Sequence, residues 1–170
     1  SLEKFEPPME ARSELSNKCK EILKKILKAQ RPVVFAGGGV RLSDSHSEFI
    51  ELIEKLGVPV VTGWNAHDTI WDSHPLYSGR PGTVGNREGN FTVQNSDLLL
   101  ILGSRLNIRQ ISYNYKSFAR NAKKIWIDID EAELNKPFIE ADIKLKADLR
   151  EVLPQLISIG QGKELKKNSE

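Results

Sequence analysis

Apolar side chains recur along this chain at two different spacings, and the spacing separates the predicted helices from the predicted strands. Between residues 15 and 27 they recur every three or four positions, which places them on one face of a helix. Residues 46–56 repeat that spacing, and Gly57 directly after them is typical of a helix end. Ser45 and Glu48 have the spacing of a capping box. The pattern therefore predicts two amphipathic helices in this part of the chain.

Five segments are predicted to be strands. They occupy residues 32–36, 58–62, 96–103, 123–130 and 142–148. The run "SDLLLILG" at 96–103 is apolar at consecutive positions, as expected for a strand covered on both faces, so we place it in the middle of the sheet. Strands that alternate with helices predict a three-layer, doubly wound parallel α/β sheet.

Further helices are predicted around the later strands. The first, "EAEL" at 131–134, follows Asp130, which we expect to cap the helix rather than to remain a free carboxylate. The second is "LREVLPQL" at 149–156, in which we expect Pro154 to kink or shorten the helix. Another helix is expected between the loop at 78–86 and the central strand.

The two ends of the chain are predicted to be linkers. Residues 1–14 contain paired prolines without a periodic pattern, and residues 159–170 are polar and charged. This leaves one domain at 15–158, which suits a chain of 170 residues. Linkers at both ends favour a middle domain of a longer polypeptide, although flexible termini of a complete small protein would give the same sequence pattern.

Composition excludes several classes of function but does not identify one. The formal net charge is +2 and the 28% of charged residues are spread along the chain, which gives no basic face for nucleic acid. Cys19 is the only cysteine, so an internal disulfide and a multi-cysteine metal site are excluded. No apolar run approaches the ~18 residues of a membrane span. We expect a cytoplasmic domain that binds neither nucleic acid nor membrane.

Ligands of open parallel sheets bind outside the carboxyl ends of the strands, so the residues just past those ends form the candidate site. They are Gly37, Gly38, Gly39, Thr62, Gly63, Gly103, Ser104, Arg105, Asp128, Asp130, Ala147 and Asp148. The loop at 78–86 adds Gly79, Gly82 and Gly85. Because glycine lets a backbone approach a ligand closely, three glycine-bearing loops at one edge indicate a bound phosphate or adenosine. Bulky residues at Gly38 or Gly103 should then abolish binding and leave the fold intact.

Each of these features has a second interpretation. The glycine cluster could form only a tight turn. Arg105 and Arg109, four residues apart just beyond a buried strand, either pair with surface acids or reach a pyrophosphate. His46, His67 and His74 lack metal-ligand spacing, and no Ser, His and Asp arrangement resembles a triad with its elbow motif. We interpret the three histidines as surface or turn residues.

The glycine loop fails the nicotinamide fingerprint. That motif needs a third glycine three residues after the second and an acid ~20 residues further on. Leu42 occupies the third glycine position, and Thr62 and Gly63 end the next strand where the ribose-binding acid should lie. The long helix is also expected to begin near His46, several residues past the glycines. An ordinary dehydrogenase is therefore disfavoured.

Six motifs follow one another along the chain: "RPVVFAGGGV", "LGVPVVTGWNAHDTI", "GRPGTVGN", "VQNSDLLLILGSRLNIRQ", "WIDIDEAEL" and "KLKADL". In this order they resemble the central domain of thiamine-diphosphate enzymes, and acetolactate synthase most of all. The similarity covers roughly residues 15–157, and its most specific parts are "QNSDLLLILGSRL" and "IDID".

The resemblance implies a Rossmann-like central domain of about six parallel strands between two larger domains of the same polypeptide. Those N- and C-terminal domains would hold thiamine diphosphate and magnesium at a dimer interface, in a homodimer or homotetramer. In acetolactate synthase the central domain carries FAD, in a structural role. The residues that match the family's site are Gly37, Gly38, Gly39, Thr62, Gly82, Thr83, Gly85, Gly103, Ser104, Arg105, Arg109, Asp128, Asp130 and Asp148.

Two departures leave the occupant of this site open. After the central strand the chain reads "GSRLNIR", with Leu106, Asn107 and Ile108 where the family usually has phenylalanine and two aspartates. The flavin loop has Thr83 and Val84 in place of the usual Met-His pair. The sequence is therefore compatible with FAD, with ADP or another adenine nucleotide, and with an empty groove.

The catalytic parts of the family are missing from this sequence. The thiamine site needs a glutamate of the N-terminal domain and a "GDG" motif of the C-terminal domain, and no "GDG" occurs here. The resemblance implies a parent enzyme that joins pyruvate to a second 2-keto acid in branched-chain amino acid biosynthesis, with this domain as an inactive scaffold. A stand-alone nucleotide-binding or sensor domain of related fold is the alternative. A sirtuin-like enzyme is disfavoured because its zinc cysteines are absent.

Overall fold

Strands and helices alternate through the part of the chain that the computed structural model describes, residues 12–160. The strands are β1 Pro32–Ala36, β2 Val60–Thr62, β3 Leu98–Leu102, β4 Lys123–Asp128 and β5 Ile143–Lys146. The helices are α1 Arg12–Lys28, α2 Gly39–Leu42, α3 His46–Leu56, α4 Arg87–Asn95, α5 Ile108–Ile111, α6 Glu131–Leu134 and α7 Leu149–Gly160. Two short 3-10 turns lie at Trp64–Ala66 and Tyr115–Ser117.

The strands form one parallel sheet in the order β2-β1-β3-β4-β5. β3 is central and all of its residues are buried, as predicted. From β1 the chain adds β2 on one side and then crosses to β3 on the other side, so the strand order reverses between β1 and β3. In open α/β sheets, ligands bind at such a reversal, outside the carboxyl ends of the strands. The doubly wound parallel fold predicted from the sequence is confirmed.

Alternate strand residues pack into two cores on opposite faces of the sheet. On one face, Val34 and Leu100 pack with residues of α1, α3 and α7. On the other face, Phe35, Ile101 and Trp126 pack with residues of α4, α5 and α6. Because successive side chains of a strand point to opposite faces, burial on both sides explains the continuous apolar runs in the sequence. The three layers expected from the sequence are present.

The sheet has five strands within the described residues, where about six were expected. At the β2 edge of the sheet, residues 76–79 lie beside β2 without forming a strand. Val60 forms backbone hydrogen bonds of 2.7 and 2.8 Å with this segment and pairs with Tyr77 in a single parallel bridge. Pro75 precedes the segment, and Gly79, with a φ of 94°, turns the chain at its end. The segment is therefore too short to continue as a regular strand.

The connection from β1 to α3 differs from the prediction at two points. α3 begins at His46 and ends at Leu56, and Gly57, whose φ of 61° is left-handed, caps it; both ends agree with the prediction. Ser45, however, does not form the predicted capping box, because its hydroxyl donates to the carbonyl of Ser43 at 3.1 Å. Asp44, with a φ of 54°, turns the chain immediately before Ser45. In addition, the single helical turn α2 starts at the glycine loop itself.

The ends of the described region extend the helices beyond their predicted limits. α7 continues through Pro154 to Gly160, so the proline does not shorten the helix. Pro154 is exposed, so the carbonyl that loses its intrahelical partner lies on the solvent side. α1 begins at Arg12, inside the range expected to be linker, and the remainder of both predicted linkers lies outside the described residues. None of the helices within residues 12–160 is long and apolar enough to cross a membrane.

Candidate functional site

A groove of about 670 Å³ opens at the carboxyl ends of β1, β3, β4 and β5, where the strand order reverses. Nine of the predicted site residues line it: Gly37, Gly38, Gly39, Gly103, Ser104, Arg105, Asp128, Asp130 and Asp148. Ala147, which also follows a strand, lines it too. The fold thus brings the segments that follow four separate strands to one cavity, which we call the groove.

Seven predicted site residues do not line the groove: Thr62, Gly63, Gly79, Gly82, Thr83, Gly85 and Arg109. Thr62 is fully buried at the end of β2. The loop at 78–86 packs against α5, where the Thr83 amide donates to the carbonyl of Arg109 at 2.8 Å. Gly82 and Thr83 line a separate cavity of about 220 Å³. The expected meeting of three glycine-bearing loops is therefore corrected to a meeting of two.

Those two glycine-bearing loops pack directly against each other. The Gly39 amide donates to the carbonyl of Gly103 at 2.9 Å, and a Cβ at Gly37 would lie 2.2 Å from the same oxygen. A Cβ at Gly39 would lie 2.6 Å from the Cα of Gly103, whose own φ is 55°. Loop packing therefore requires glycine at all three positions. A bulky residue at Gly103 would disturb the fold, in contrast to the sequence-based expectation.

Gly38 differs from the glycines on either side of it. Its φ of −61° is accessible to any residue. A Cβ at this position would meet nothing closer than the Asn65 side-chain nitrogen, at 3.8 Å. The packing of the protein does not require glycine here, and the open space beside the Gly38 backbone faces the groove. A ligand therefore has room to approach this part of the loop closely.

The two acids at the carboxyl end of β4 have different environments. Asp128 is 8% exposed, and its Oδ1 accepts a hydrogen bond from the Asp130 amide at 3.0 Å. Burial raises the pKa of the Asp128 carboxyl, and the nearby charges of Glu133 and Asp130 act in the same direction. Asp130 caps α6, because its Oδ1 accepts from the Ala132 amide at 2.8 Å. The predicted capping role of Asp130 is confirmed, and Asp128 is one of the buried acids of the groove.

Asp148 organises the start of α7 and binds an arginine of that helix. Its Oδ1 accepts from the Arg150 amide at 2.9 Å, and its Oδ2 pairs with Arg150 Nη2 at 2.6 Å. Burial opposes ionisation of Asp148, but hydrogen bonds from Arg150 outweigh it and lower the pKa of the carboxyl. Arg150, which the sequence pattern did not single out, also lines the groove.

Arg105 pairs with a buried acid of the groove. Its Nε donates to Glu133 Oε1 at 2.7 Å, and Glu133 is only 7% exposed. Lys136 pairs with the other carboxylate oxygen of Glu133 and also donates to the Arg105 carbonyl at 2.9 Å. The charged side chains that line the groove are Asp128, Asp130, Glu133, Asp148, Arg105 and Arg150. Each of the two arginines is therefore bound by an acid of the groove itself.

The histidines lie away from the groove. His46 hydrogen-bonds the carbonyl of Thr69 at 2.8 Å, and His74 is buried in a turn where its Nδ1 accepts from the Leu76 amide at 3.1 Å. Across residues 12–160, no group of three or more His, Cys, Asp or Glu side chains is arranged to hold a metal ion.

Residues 19–156 of this chain match the model of a protein family described as "Thiamine pyrophosphate enzyme, central domain". The chain belongs to this family. It is 39% identical over 138 residues to a probable acetolactate synthase large subunit of Methanococcus aeolicus, which covers 81% of this chain and 23% of that protein. It is 37% identical over 142 residues to the acetolactate synthase large subunit of Corynebacterium glutamicum, which covers 84% of this chain and 22% of that protein. The chain therefore spans less than a quarter of the length of these two relatives.

Sequence reasoning missed several groove residues of this thiamine pyrophosphate enzyme central domain. Gln110 is 5% exposed, and its side-chain oxygen accepts from the Asn107 amide at 3.2 Å, in a capping box at the start of α5. The spacing of Asn107 and Gln110 is a readable signal for that box. The other missed lining residues are Leu42, Ser43, Asn65, Asn107, Ile129, Glu133, Leu149 and Arg150. Leu42 and Asn65 reach the groove through the unpredicted turn α2 and the 3-10 turn after β2, so no local pattern indicated them.

Proposed function

We propose that this chain is the nucleotide-binding central domain of a thiamine-diphosphate-dependent enzyme of the acetolactate synthase type. Its family membership and its identity of 39% and 37% to relatives named as acetolactate synthase large subunits support this proposal. In the parent, N- and C-terminal domains of the same polypeptide hold thiamine diphosphate and magnesium in a cytoplasmic homodimer or homotetramer. The parent joins pyruvate to a second 2-keto acid, and the present domain is its scaffold.

The position of the groove is the observation that supports nucleotide binding most directly. The groove lies at the reversal of strand order between β1 and β3, where open α/β sheets bind their ligands. Its volume of about 670 Å³ falls within the range of roughly 300–1,000 Å³ that is usual for small-molecule sites. Gly38 leaves open space at this point that the packing of the protein does not need.

The lining residues fit an adenine nucleotide. Arg105 and Arg150 are the cationic groups that would bind phosphate oxygens. Asp128 would accept hydrogen bonds from ribose hydroxyls. Leu42 and Ile129, which are 90% and 43% exposed, offer apolar surface to the base. A nucleotide bound in this way would connect the strand-end loops through its contacts. It would take no part in a redox step.

The same lining favours recognition of ADP, or of the ADP half of FAD, over recognition of a flavin ring. The predicted site residues in the loop at 78–86 and at Arg109 lie outside the groove. Thr83 is held on the carbonyl of Arg109 and not against the groove. We therefore expect ADP and FAD to bind with similar affinity, because both contain the recognised portion.

Titration calorimetry of the chain with ADP, FAD and adenosine tests nucleotide binding. Gly38→Val should weaken ADP binding more than about tenfold at an unchanged melting temperature, because its side chain enters only the groove. Gly38→Ala, with a smaller side chain, should have an intermediate effect. An ADP affinity of Gly38→Val equal to that of the wild type would mean that the loop is only a turn. Mass and absorbance of any nucleotide released from the purified parent protein then identify the natural occupant.

The proposal that this domain is a scaffold without catalytic activity of its own has a separate test. The chain alone should form no acetolactate from pyruvate with added thiamine diphosphate and magnesium, because its sequence has no "GDG". Measurable acetolactate would contradict the scaffold role. The length of the encoding reading frame separates this proposal from the alternative, since a frame that encodes only this chain would favour a stand-alone nucleotide-binding or sensor domain.

A further inference from the structure

Arg105 is held at two points by neighbouring residues near α6. Its guanidinium Nε donates to Glu133 Oε1 at 2.7 Å, and its backbone carbonyl accepts from Lys136 Nζ at 2.9 Å. Lys136 also pairs with Glu133, so the three residues form a closed cycle of charged contacts. The cycle joins the loop after β3 to the helix after β4, across 28 to 31 positions of sequence.

Glu133 is an unusual residue for a surface ion pair. On the same short helix, Glu131 is exposed and pairs with Lys146, as a solvated acid ordinarily does. The side chain of Glu133 is only 10% exposed, while that of its partner Arg105 is 75% exposed. Burial of a carboxylate is costly unless cations and hydrogen bonds compensate for it. The burial of Glu133 therefore has a desolvation cost, although the arginine that it binds is mostly exposed to solvent.

The arginine is held by its Nε, which leaves its two terminal nitrogens available. Within residues 12–160, no hydrogen bond from Arg105 Nη1 or Nη2 to a protein acceptor is present. Arg105 lines the groove beside the glycine loops. A guanidinium with a fixed Nε presents its two Nη groups as a planar fork, which matches the oxygens of a phosphate.

We propose that Glu133 and Lys136 are positioning residues that fix Arg105 so that its terminal nitrogens receive a phosphate group of a ligand in the groove. This inference rests on the proposed nucleotide-binding function. The hydrogen-bond acceptor of Glu133 favours phosphate binding by orienting Arg105, whereas its negative charge opposes it. Glu133→Gln keeps the acceptor and removes the charge, so it separates the two effects.

The test compares ADP with adenosine, which has no phosphate. Glu133→Ala and Lys136→Met should each weaken ADP binding, the first by about tenfold and the second by less, while adenosine binding stays within about twofold of wild type. Glu133→Gln should bind ADP at least as tightly as the wild type. Glu131→Ala, on the same helix but in the exposed pair, is the matched control and should change neither affinity.

A double-mutant cycle with Arg105→Ala measures whether the effect acts through the arginine. In the Arg105→Ala background, Glu133→Ala should cause no further loss of ADP affinity, because the group that it positions is gone. Additive losses in the double variant, or equal losses for ADP and adenosine, would overturn the positioning role. If Glu133→Ala does not fold, the Lys136→Met and Arg105→Ala pair gives the same cycle. If the wild-type chain binds neither ligand, the nucleotide-binding function itself fails, and the inference that rests on it fails too.

Discussion

Among the glycine-bearing loops near this end of the sheet, the loop after β1 lines the groove and the loop at 78–86 does not. In the loop at 78–86, a Cβ at Gly82 would lie 2.4 Å from the Arg109 carbonyl oxygen, and one at Gly85 would lie 2.1 Å from that of Arg80. Gly82 is therefore needed for the packing of this loop against α5, and Gly85 for the packing of the loop against itself. In the loop after β1, Gly37 and Gly39 serve packing in the same way, but Gly38 does not. The number of glycines in a loop therefore does not indicate ligand binding. A glycine beside which the protein leaves open space is the better indication of a ligand site.

The largest effect should come from substituting a packing glycine. Gly37→Ala places a Cβ 2.2 Å from the Gly103 carbonyl oxygen, and backbone atoms on both sides must move. We expect a loss of about 2–4 kcal/mol in the free energy of unfolding, measured in urea. Gly38→Ala is the neighbouring control and should change this free energy by less than about 0.5 kcal/mol. Equal losses in the two variants would remove the distinction between packing and open glycines.

A smaller effect is expected in the loop that packs away from the groove. Gly85→Ala should lower the free energy of unfolding by about 1–2 kcal/mol, because a surface loop can shift to relieve part of the contact. ADP affinity of the folded variant should stay within about twofold of wild type. A strong loss of ADP binding in calorimetry would show that this loop does reach the ligand and that the two regions act together.

The two acids at the carboxyl end of β4, Asp128 and Asp130, extend the comparison to side chains. Asp130→Ala removes the cap of α6 and should cost about 1 kcal/mol of stability, with ADP affinity unchanged. Asp128→Asn keeps an acceptor for the Asp130 amide but removes the charged group that we assign to the ribose. It should weaken ADP binding by about tenfold. Equal losses of ADP affinity in both variants would contradict this separation of cap and ligand contact.

The smallest effect is a pH dependence of stability. Burial raises the pKa of Asp128 above its ordinary value of 3.8, so the folded state holds that proton more tightly than an unfolded chain does. The contribution of Asp128 to stability is therefore greatest in acid and falls as the pH rises through the folded pKa. The stability of Asp128→Asn relative to wild type should increase from about pH 4 to neutral pH.

Asp148 gives the opposite sign and is the control for that experiment. Its pKa is lowered, because hydrogen bonds from Arg150 outweigh burial. Its stabilising contribution is present above the unfolded pKa and is lost as the pH falls through the folded pKa. Asp148→Asn should therefore be less stable than wild type at neutral pH, with the difference shrinking in acid. Parallel profiles for the two variants in urea unfolding would contradict the assigned environments.

Local sequence patterns predicted the features that depend on neighbouring residues. The burial of β3 and the cap at Asp130 follow from a run of apolar residues and from one acid before a helix. The pairing of Arg105 with Glu133, and the contact of Thr83 with Arg109, join residues 28 and 26 positions apart. No periodicity encodes such contacts, because they depend on how the loops pack after the sheet has formed. This is why the strand-end residues were predicted but their division between packing and groove was not.

The two edges of the sheet also limit how this domain can associate with other chains. The β2 edge is covered by residues 76–79, and Pro75 just before them lacks the amide that a further strand would need. At the other edge, β5 carries Lys144 and Lys146, and such charges discourage edge-to-edge pairing. Neither edge is a ready template for an added strand or for aggregation through strand addition. Stable association with a neighbouring domain is therefore expected to use helix and loop surfaces.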